Sequence, residues 1–254
     1  MKTVVFTPET AHAIHLFLEW LAIASGIQVY RWQKRRSGLP GMLEGNQFFV
    51  IVGCILGAAI GNKLVFWLEF PQLWSSAAMN INAWMSGQSI VGGLLGGLIG
   101  VELAKKCVGV TSSTGDNFVL PLIVGTVVGR LGCFLAGLND GTFGNATTLP
   151  WGVDFGDGVA RHPTQIYDML FVLTLGAVLW YFRAGTRSKS GLMFKLYLSA
   201  YLLWRVLVDA IKPVPYDYGL GLSGIQVTCL VALAVYVPVL LRQLLNKHHQ
   251  VNYA

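Results

Sequence analysis

Charged residues are scarce in this sequence: Asp, Glu, Lys and Arg together make up 12% of its 254 residues. A soluble globular domain usually contains about 25% charged residues, so the chain has roughly half the charge that a water-exposed surface needs. It also has four cysteines, none of them in a CxxC pair. These shortages exclude soluble domains, a disordered chain, a disulfide-stabilised secreted module, a thioredoxin-like site and a zinc finger.

Apolar residues are abundant instead. They make up 54% of the chain and recur in runs close to the roughly 20 residues that a membrane-spanning helix requires. We therefore predict an all-α, polytopic membrane protein with seven transmembrane helices in a single domain, residues 1–254. The predicted spans are Ala11–Tyr30, Phe48–Leu68, Ser89–Ala104, Asn117–Gly137, Thr164–Phe182, Leu192–Ile211 and Gly224–Leu241.

The positions of the lysines and arginines predict the orientation. With the N-terminus outside, the inside segments contain 11 of these residues and the outside segments contain three, Lys2, Arg161 and Lys212. Because positive charge concentrates in cytoplasmic loops, we predict the N-terminus outside, the C-terminus inside and an extracytoplasmic loop around residues 138–163. The same rule explains the net charge of +6 without a nucleic-acid partner.

The first apolar run has a competing interpretation as a cleaved signal peptide, because its segment LAIASG offers small residues near the end. However, the polar segment TPET precedes the run, and RWQKRR after it is typical of a stop-transfer flank. We interpret the run as a membrane helix.

Glycine recurs at every fourth position in two of the predicted spans. In lipid, such stripes of small residues let helix backbones approach closely, so they predict helix packing. The stripes are Gly53, Gly57 and Gly61 in the second span, and Gly92, Gly96 and Gly100 in the third.

Charged residues inside the spans are the most informative feature, because each costs a few kcal/mol to insert into a membrane. With this topology they lie at similar depth, in the outer half of the bilayer. One interpretation is that they pair to hold the bundle together, and the other is that they line a polar cavity. Two arginines in one cavity match phosphate oxygens, which favours a phospholipid ligand. The charged or titratable residues are His15, Glu19, Lys63, Arg130, Asp168, Arg205 and Asp209, and the polar Gln165 and Tyr201 lie at the same predicted depth.

Several segments resemble the prolipoprotein diacylglyceryl transferase family. They are SIVGGLLG (Ser89–Gly96), GRLGCFLAG (Gly129–Gly137), LPWGVDF (Leu149–Phe155), RHPTQIYD (Arg161–Asp168) and the pair Tyr201 and Arg205. The resemblance implies a multi-pass enzyme of the bacterial inner membrane. Its substrates are phosphatidylglycerol and an exported preprotein with a lipobox, and it makes a thioether on the lipobox cysteine and releases glycerol 1-phosphate. No metal or organic cofactor is implied.

The resemblance also implies roles for residues that match the family's motifs. Arg130 and Arg205 are the expected catalytic arginines, which hold the headgroup and stabilise the departing phosphate. The expected substrate-binding residues are Gly129, Gly132, Arg161, Gln165, Tyr167, Asp168 and Tyr201.

This sequence departs from the family's usual pattern near the acceptor thiol. Val91 stands where histidine is usual, Cys133 and Ala136 where asparagine is usual, and Leu138 where glutamate is usual. The general base that deprotonates the acceptor thiol could therefore be either His162 or His15. In the second case Glu19 is the expected partner of His15. Cys133 as a covalent nucleophile is a weaker third hypothesis, since a buried thiol is usually inert.

Two alternative functions remain at this point. A different acceptor for the phospholipid-derived group is suggested by Asp140, Asp154 and Asp157 in the altered loop, although Asp-Gly pairs commonly form simple turns. A non-catalytic lipid-binding paralogue is suggested by Val91 in place of the histidine.

Overall fold

The computed structural model of the chain describes residues 5–38, 41–74, 87–186 and 189–245. Within these residues, seven helices have 18 residues or more. They are α1 (Pro8–Arg36), α2 (Asn46–Glu69), α3 (Ile90–Val108), α4 (Val119–Ala136), α5 (Thr164–Tyr181), α6 (Leu192–Asp209) and α7 (Gly224–Leu245). Each predicted span is therefore helical, and the predicted all-α class is confirmed.

Short elements complete the fold. Three 3₁₀ turns are Pro71–Leu73, Gly115–Phe118 and Gly137–Asn139, and a short helical turn covers Arg183–Thr186. In the loop between α4 and α5, strands β1 (Val153–Asp154) and β2 (Ala160–Arg161) pair antiparallel.

Five of the long helices are long and apolar enough to cross a membrane: α1, α2, α4 with its flanking turns, α5 and α7. The other two, α3 and α6, each carry three charged residues. Large apolar side chains on these helices are exposed, for example Trp20 at 70% and Val231 at 62%. Since apolar side chains face outward while several charged ones are buried, the chain is a multi-pass membrane protein. Lys2, Arg187 and Lys247, which contribute to the predicted orientation, lie outside the described residues.

Helix ends follow from local sequence. Thr7 caps α1 by accepting from the Thr10 backbone N–H, with Pro8 in the first helical position. Ser89 caps α3 in the same way through Gly92 N, and Gly109 ends that helix in the left-handed conformation, at φ 72°.

The described residues form two compact units. One contains residues 5–37, 113–186, 189–213 and 240–245, and the other contains residues 38, 41–74, 87–112 and 214–239. In the first unit, α4 packs against α1 and α5, and α6 packs against α5 and α4. The candidate functional residues described below lie in this unit, except Lys63.

In the second unit α2 packs on α3 through the two predicted glycine stripes. A Cβ added to Gly53 would lie 2.6 Å from both Gly100 O and Ala104 Cβ, and one added to Gly57 would overlap Gly96 O. The prediction that the stripes pack helices is confirmed. Lys63 also lies in this unit, where its Nζ donates to Gly87 O at 2.7 Å.

Candidate active site

Asp168 is the centre of a buried charge cluster. Its side chain is 0% exposed, and its Oδ2 lies 2.9 Å from Arg130 Nε and 3.2 Å from Arg205 Nη1. Its other oxygen, Oδ1, accepts a hydrogen bond from Trp204 Nε1 at 2.7 Å. Helices α4, α5 and α6 thus meet at one carboxylate, which holds the two predicted catalytic arginines together.

The cluster continues along α6 and past its end. Arg205 Nη2 donates to Asp209 Oδ1 at 2.7 Å, and Lys212 Nζ lies 3.4 Å from the same oxygen. Three cations therefore surround two carboxylates, which leaves one positive charge in excess. Arg205 Nε and Asp209 Oδ2 are buried and have no hydrogen-bond partner among the described residues. A buried site with surplus positive charge and an unused guanidinium donor is suited to a monoanion.

A second polar cluster lies beside Arg130. His15 Nδ1 on α1 is 3.0 Å from Asp140 Oδ1 in the loop after α4. Cys133 on α4 joins them, and the three ligand atoms all lie within 4.8 Å of one another. Arg130 Nη1 is 3.9 Å from Cys133 Sγ, so Arg130 links the two clusters. Among the described residues, the carboxylate paired with His15 is Asp140 and not the predicted Glu19.

Asp140 is held firmly in this position. Burial of its carboxyl raises its pKa, but hydrogen bonds from His15 and Thr142 outweigh burial, so that the pKa lies below its ordinary value. Thr142 Oγ1 donates to Asp140 Oδ2 and accepts from Gln165 Nε2 at 3.2 Å. Thr164 Oγ1 fixes the same loop by donating to Thr142 O at 2.6 Å. The predicted substrate-binding residue Gln165 is fully buried and supports the loop that carries Asp140.

Other predicted residues line an apolar cavity on the loop side of α5. His162 Nδ1 lies 3.3 Å from the Tyr167 hydroxyl, which accepts from Trp151 Nε1 at 2.8 Å. The cavity has a volume of about 800 Å³, and its walls also include Leu149, Pro150, Val153, Pro163, Ile166, Leu170 and Ile211. The polar side-chain groups in this mostly aliphatic wall are the imidazole of His162, the phenol of Tyr167 and the indole N–H of Trp151.

Arg161 is part of the exposed loop. Its guanidinium forms a two-pronged ion pair with Asp157, at 2.6 and 2.7 Å, and lies over the Phe143 ring. The Arg161 pair lowers the pKa of Asp157 to about 2. Asp154 Oδ1 accepts from the backbone N–H groups of Gly156 and Gly158, so Asp154 forms a turn of the expected Asx type.

Three further predicted residues lie in helix contacts. The Gly132 and Gly129 positions face α1, since added Cβ atoms would lie 3.0 Å from Leu18 Cβ and 3.8 Å from Ala22 Cβ respectively. Tyr201 is fully buried, and its ring stacks on Tyr197 with centroids 6.2 Å apart. The substrate-binding roles assigned to these residues stay predictions.

Sequence reasoning missed the buried position of Asp140 and its pairing with His15. It grouped Asp140 with Asp154 and Asp157 as loop acids, although Asp140 is 5% exposed and Asp157 is 34% exposed. The signal that separates them is distance from α4, since Asp140 follows Cys133 by two helical turns. Sequence reasoning also missed Trp204, which donates a hydrogen bond to Asp168, and Lys212, which belongs to the same charge cluster.

The fold and the site define a multi-pass helical membrane protein with a buried cationic cluster in its helix bundle. The sequence profile of the family described as Prolipoprotein diacylglyceryl transferase matches residues 11–242. The chain belongs to this family.

Individual relatives have names that match the description of this family. A protein of Bordetella avium (strain 197N), named phosphatidylglycerol–prolipoprotein diacylglyceryl transferase, is 31% identical over 201 residues, which are 77% of this chain and 74% of the relative. One of Nitratidesulfovibrio vulgaris (strain DP4) with the same name is 33% identical over 189 residues, 70% of each chain. One of Coxiella burnetii (strain RSA 331 / Henzerling II), also so named, is 28% identical, over 76% of this chain and 74% of the relative.

Proposed function

We propose that the chain transfers the diacylglyceryl group of phosphatidylglycerol to the cysteine thiol of a lipobox-containing preprotein and releases glycerol 1-phosphate. The name shared by its relatives supports this reaction. The observation that carries it in this chain is the arrangement of Arg130 and Arg205 on one buried carboxylate, Asp168.

The arginine cluster accounts for the lipid donor. The phosphodiester of phosphatidylglycerol has one negative charge, which balances the one excess positive charge of the cluster. Arg205 Nε supplies a donor for a phosphate oxygen, since it has no partner within the described residues. As the carbon–oxygen bond breaks, negative charge grows on the departing phosphate, and fixed guanidinium groups stabilise that charge without reorganisation. Asp168 keeps both arginines in place before the lipid arrives.

The reaction requires the acceptor cysteine in its thiolate form, because the protonated thiol is a poor nucleophile. The thiolate sulfur attacks the glyceryl carbon that is bonded to the phosphate oxygen, forms the carbon–sulfur bond and displaces glycerol 1-phosphate. The cluster of His15, Cys133 and Asp140 is next to Arg130 and is the polar group best placed to receive the acceptor thiol. His162 stays a second candidate, facing the cavity described above.

The cavity of about 800 Å³ accounts for apolar parts of the substrates. Its walls are mainly aliphatic and aromatic, with Trp151, Leu170 and Ile211 among them. We assign it to an acyl chain of the donor, because the apolar wall offers such a chain surroundings like those it has in the bilayer.

The membrane arrangement in this proposal is a single domain with seven spans, the N-terminus outside, and the 138–163 loop on the outer side of the bacterial inner membrane. The charges of α6 support its inclusion, since Arg205 pairs with both Asp209 and Asp168 and these charges are buried instead of facing lipid. Those of α3 lie near its end, where Lys105 pairs with Glu102. Cys107 is exposed on α3, so a variant with Cys107 as its sole cysteine is expected to react with an impermeant maleimide in inverted vesicles and not in spheroplasts. The reverse labelling would contradict this orientation.

The experiment that tests the reaction uses purified protein in detergent with phosphatidylglycerol and a lipobox peptide. Mass spectrometry follows the diacylglyceryl-modified peptide and glycerol 1-phosphate. We expect both products, and we expect Arg130→Ala to lose both while Arg31→Ala, which removes an exposed arginine of α1, keeps them. Release of glycerol 1-phosphate without modified peptide would indicate a different acceptor, and lipid binding without either product would indicate a non-catalytic paralogue.

A further inference from the structure

The cluster of His15, Cys133 and Asp140 has the composition of a metal site. An imidazole nitrogen, a thiolate sulfur and a carboxylate oxygen are the three ligand types that bind zinc in proteins. In a tetrahedral zinc site neighbouring ligand atoms are about 3.3–3.6 Å apart, as follows from the zinc–ligand bond lengths. Here His15 Nδ1 and Asp140 Oδ1 lie 3.0 Å apart, and all three ligand atoms lie within 4.8 Å of one another, so small side-chain rotations are enough to reach this spacing.

We propose that His15, Cys133 and Asp140 bind a zinc ion whose fourth position receives the thiol of the acceptor cysteine. Three protein ligands and one open position are the pattern of catalytic zinc sites, whereas structural sites have four protein ligands. The ligands come from α1, α4 and the loop after α4, so one ion joins three separate pieces of chain. The role in thiol activation rests on the proposed function, whereas zinc binding itself does not.

The surroundings of the ligands support the assignment. Ligating carboxylates in metal sites are usually hydrogen-bonded by a second layer of residues, which fixes their orientation. Asp140 has such support from Thr142, which in turn accepts from Gln165. The charges also balance, because a thiolate and a carboxylate together neutralise the two positive charges of the ion. Arg130, whose Nη1 lies 3.9 Å from Cys133 Sγ, shares Asp168 as a counter-ion with Arg205.

The exposure of the ligands gives the ion an accessible side. The Asp140 side chain is 5% exposed and that of His15 is 31% exposed, so the cluster is closed behind Asp140 and open beside His15. An acceptor approaching from the His15 side would meet the open coordination position.

The chemistry fits the substitutions in this chain. A thiol that coordinates zinc is deprotonated, and its proton is released to water. The zinc-bound thiolate then forms the carbon–sulfur bond, and the electron pair of the broken carbon–oxygen bond leaves with glycerol 1-phosphate. Zinc thus replaces a general base, at a site where Cys133 supplies a ligand.

Metal binding is tested on the full chain, purified without a polyhistidine tag. The background carries His248→Ala and His249→Ala, because adjacent histidines in the tail would bind metal on their own. After chelator treatment and dialysis against Zn²⁺, elemental analysis is expected to find one zinc per chain. With Co²⁺ in place of zinc, we expect the visible bands of a tetrahedral ion and a thiolate-to-cobalt charge-transfer band.

Matched variants identify the ligands. Cys133→Ser is expected to abolish the charge-transfer band, and His15→Ala and Asp140→Asn are expected to weaken zinc binding at least about tenfold. His12→Ala, also on α1, and Cys107→Ser, an exposed cysteine, are expected to bind metal like the parent. Circular dichroism of the metal-free variants checks that they fold. An unchanged cobalt spectrum in folded Cys133→Ser, or zinc content no higher in the parent than in that variant, would overturn the proposal.

Activity separates this inference from the proposed function. We expect zinc removal to abolish peptide modification and zinc addition to restore it. Full transfer by metal-free protein would refute zinc activation and leave the transferase assignment intact. Zinc binding with no product from any preparation would refute the transferase assignment and the activation step, and leave the metal site intact.

Discussion

Arg130 Nε and Arg205 Nη1 lie 2.9 and 3.2 Å from the same oxygen atom, Asp168 Oδ2. Two guanidinium groups on different helices are thereby held close together in a buried site, at the cost of sharing one counter-ion. An anionic ligand that enters this site relieves the shortage of negative charge. The arrangement therefore prepares the protein for a phosphate group and at the same time joins α4, α5 and α6.

Replacing Arg130 by lysine tests whether the planar guanidinium matters in addition to its charge. Arg130→Lys keeps the charge but loses the guanidinium fork, which contacts Asp168 and in the proposed function also binds a phosphate oxygen. We expect transfer to fall by about 100-fold, the size typical of losing one fixed donor to a developing anion. Initial rates of glycerol 1-phosphate release measure the effect. Arg31→Lys, on the exposed side of α1, is the control and should match the parent. Equal rates for Arg130→Lys and the parent would remove Arg130 from the mechanism.

Asp168 is expected to matter for stability as well as for catalysis. Asp168→Asn leaves two buried arginines without their shared counter-ion, and breaking a buried ion pair typically destabilises by about 3 kcal/mol or more. Thermal unfolding in detergent should show a clearly lower midpoint for this variant. Asp157→Asn breaks an exposed ion pair and should change the midpoint little. Equal midpoints for Asp168→Asn and Asp157→Asn would contradict the cluster's structural role.

The ion pair between Asp140 and His15 predicts that the folded protein loses stability at acidic pH. Because the pKa of Asp140 in the folded state lies below its unfolded value of about 4, the lowered pKa contributes its full stability above that pH. The contribution is lost as the pH falls through the lowered folded-state pKa. The difference in unfolding temperature between the parent and Asp140→Asn should therefore be larger at about pH 5 than below about pH 4. Glu9→Gln removes an exposed carboxylate of α1 and should give no such pattern. A difference that stays unchanged or grows as the pH falls from about 5 to below 4 would refute the assignment.

The glycine contact between α2 and α3 predicts opposite results for two nearby glycines. A Cβ at Gly57 would overlap Gly96 O and lie 2.9 Å from Gly100 Cα, so Gly57→Ala must push the helices apart. We expect a loss of about 1–3 kcal/mol. At Gly93 an added Cβ would come no closer than 3.9 Å to a neighbouring atom of the described residues, Ala58 O, so Gly93→Ala should be neutral or stabilising by up to about 1 kcal/mol. Thermal unfolding of both variants checks this contrast, and an equal loss in both would contradict it.

Patterns along the chain predicted the helices and the packing stripes. Apolar runs form single helices, and glycines at every fourth position form a contact between two helices. Both patterns are visible in the sequence itself, so these features could be predicted. The charges of Arg130, Asp168 and Arg205 were also predicted to share one region, because burying an ion in a membrane requires a partner or a cavity. The sequence left open which of the two applied. The structure shows direct pairing, together with an excess of positive charge.

The second cluster was not predictable from local patterns. His15 and Asp140 are 125 positions apart in the chain, and an Asp-Gly pair in a loop usually indicates a turn, as Asp154 indeed forms. Only the packing of α1 on α4 brings His15 to Cys133 and Asp140. Lys212 was likewise counted as an outside charge, whereas its side chain is 13% exposed and faces Asp209. Long-range contacts of this kind depend on how the helices associate.

The most direct test of the proposed function follows the diacylglyceryl group itself. Purified protein is incubated with phosphatidylglycerol deuterated in its diacylglyceryl part and with equal amounts of two lipobox peptides, one with the acceptor cysteine and one with serine in its place. We expect the label to appear only in the cysteine peptide, as a thioether. One glycerol 1-phosphate should be released for each modified peptide. Label in another lipid or in the serine peptide, or glycerol 1-phosphate release without labelled peptide, would contradict it.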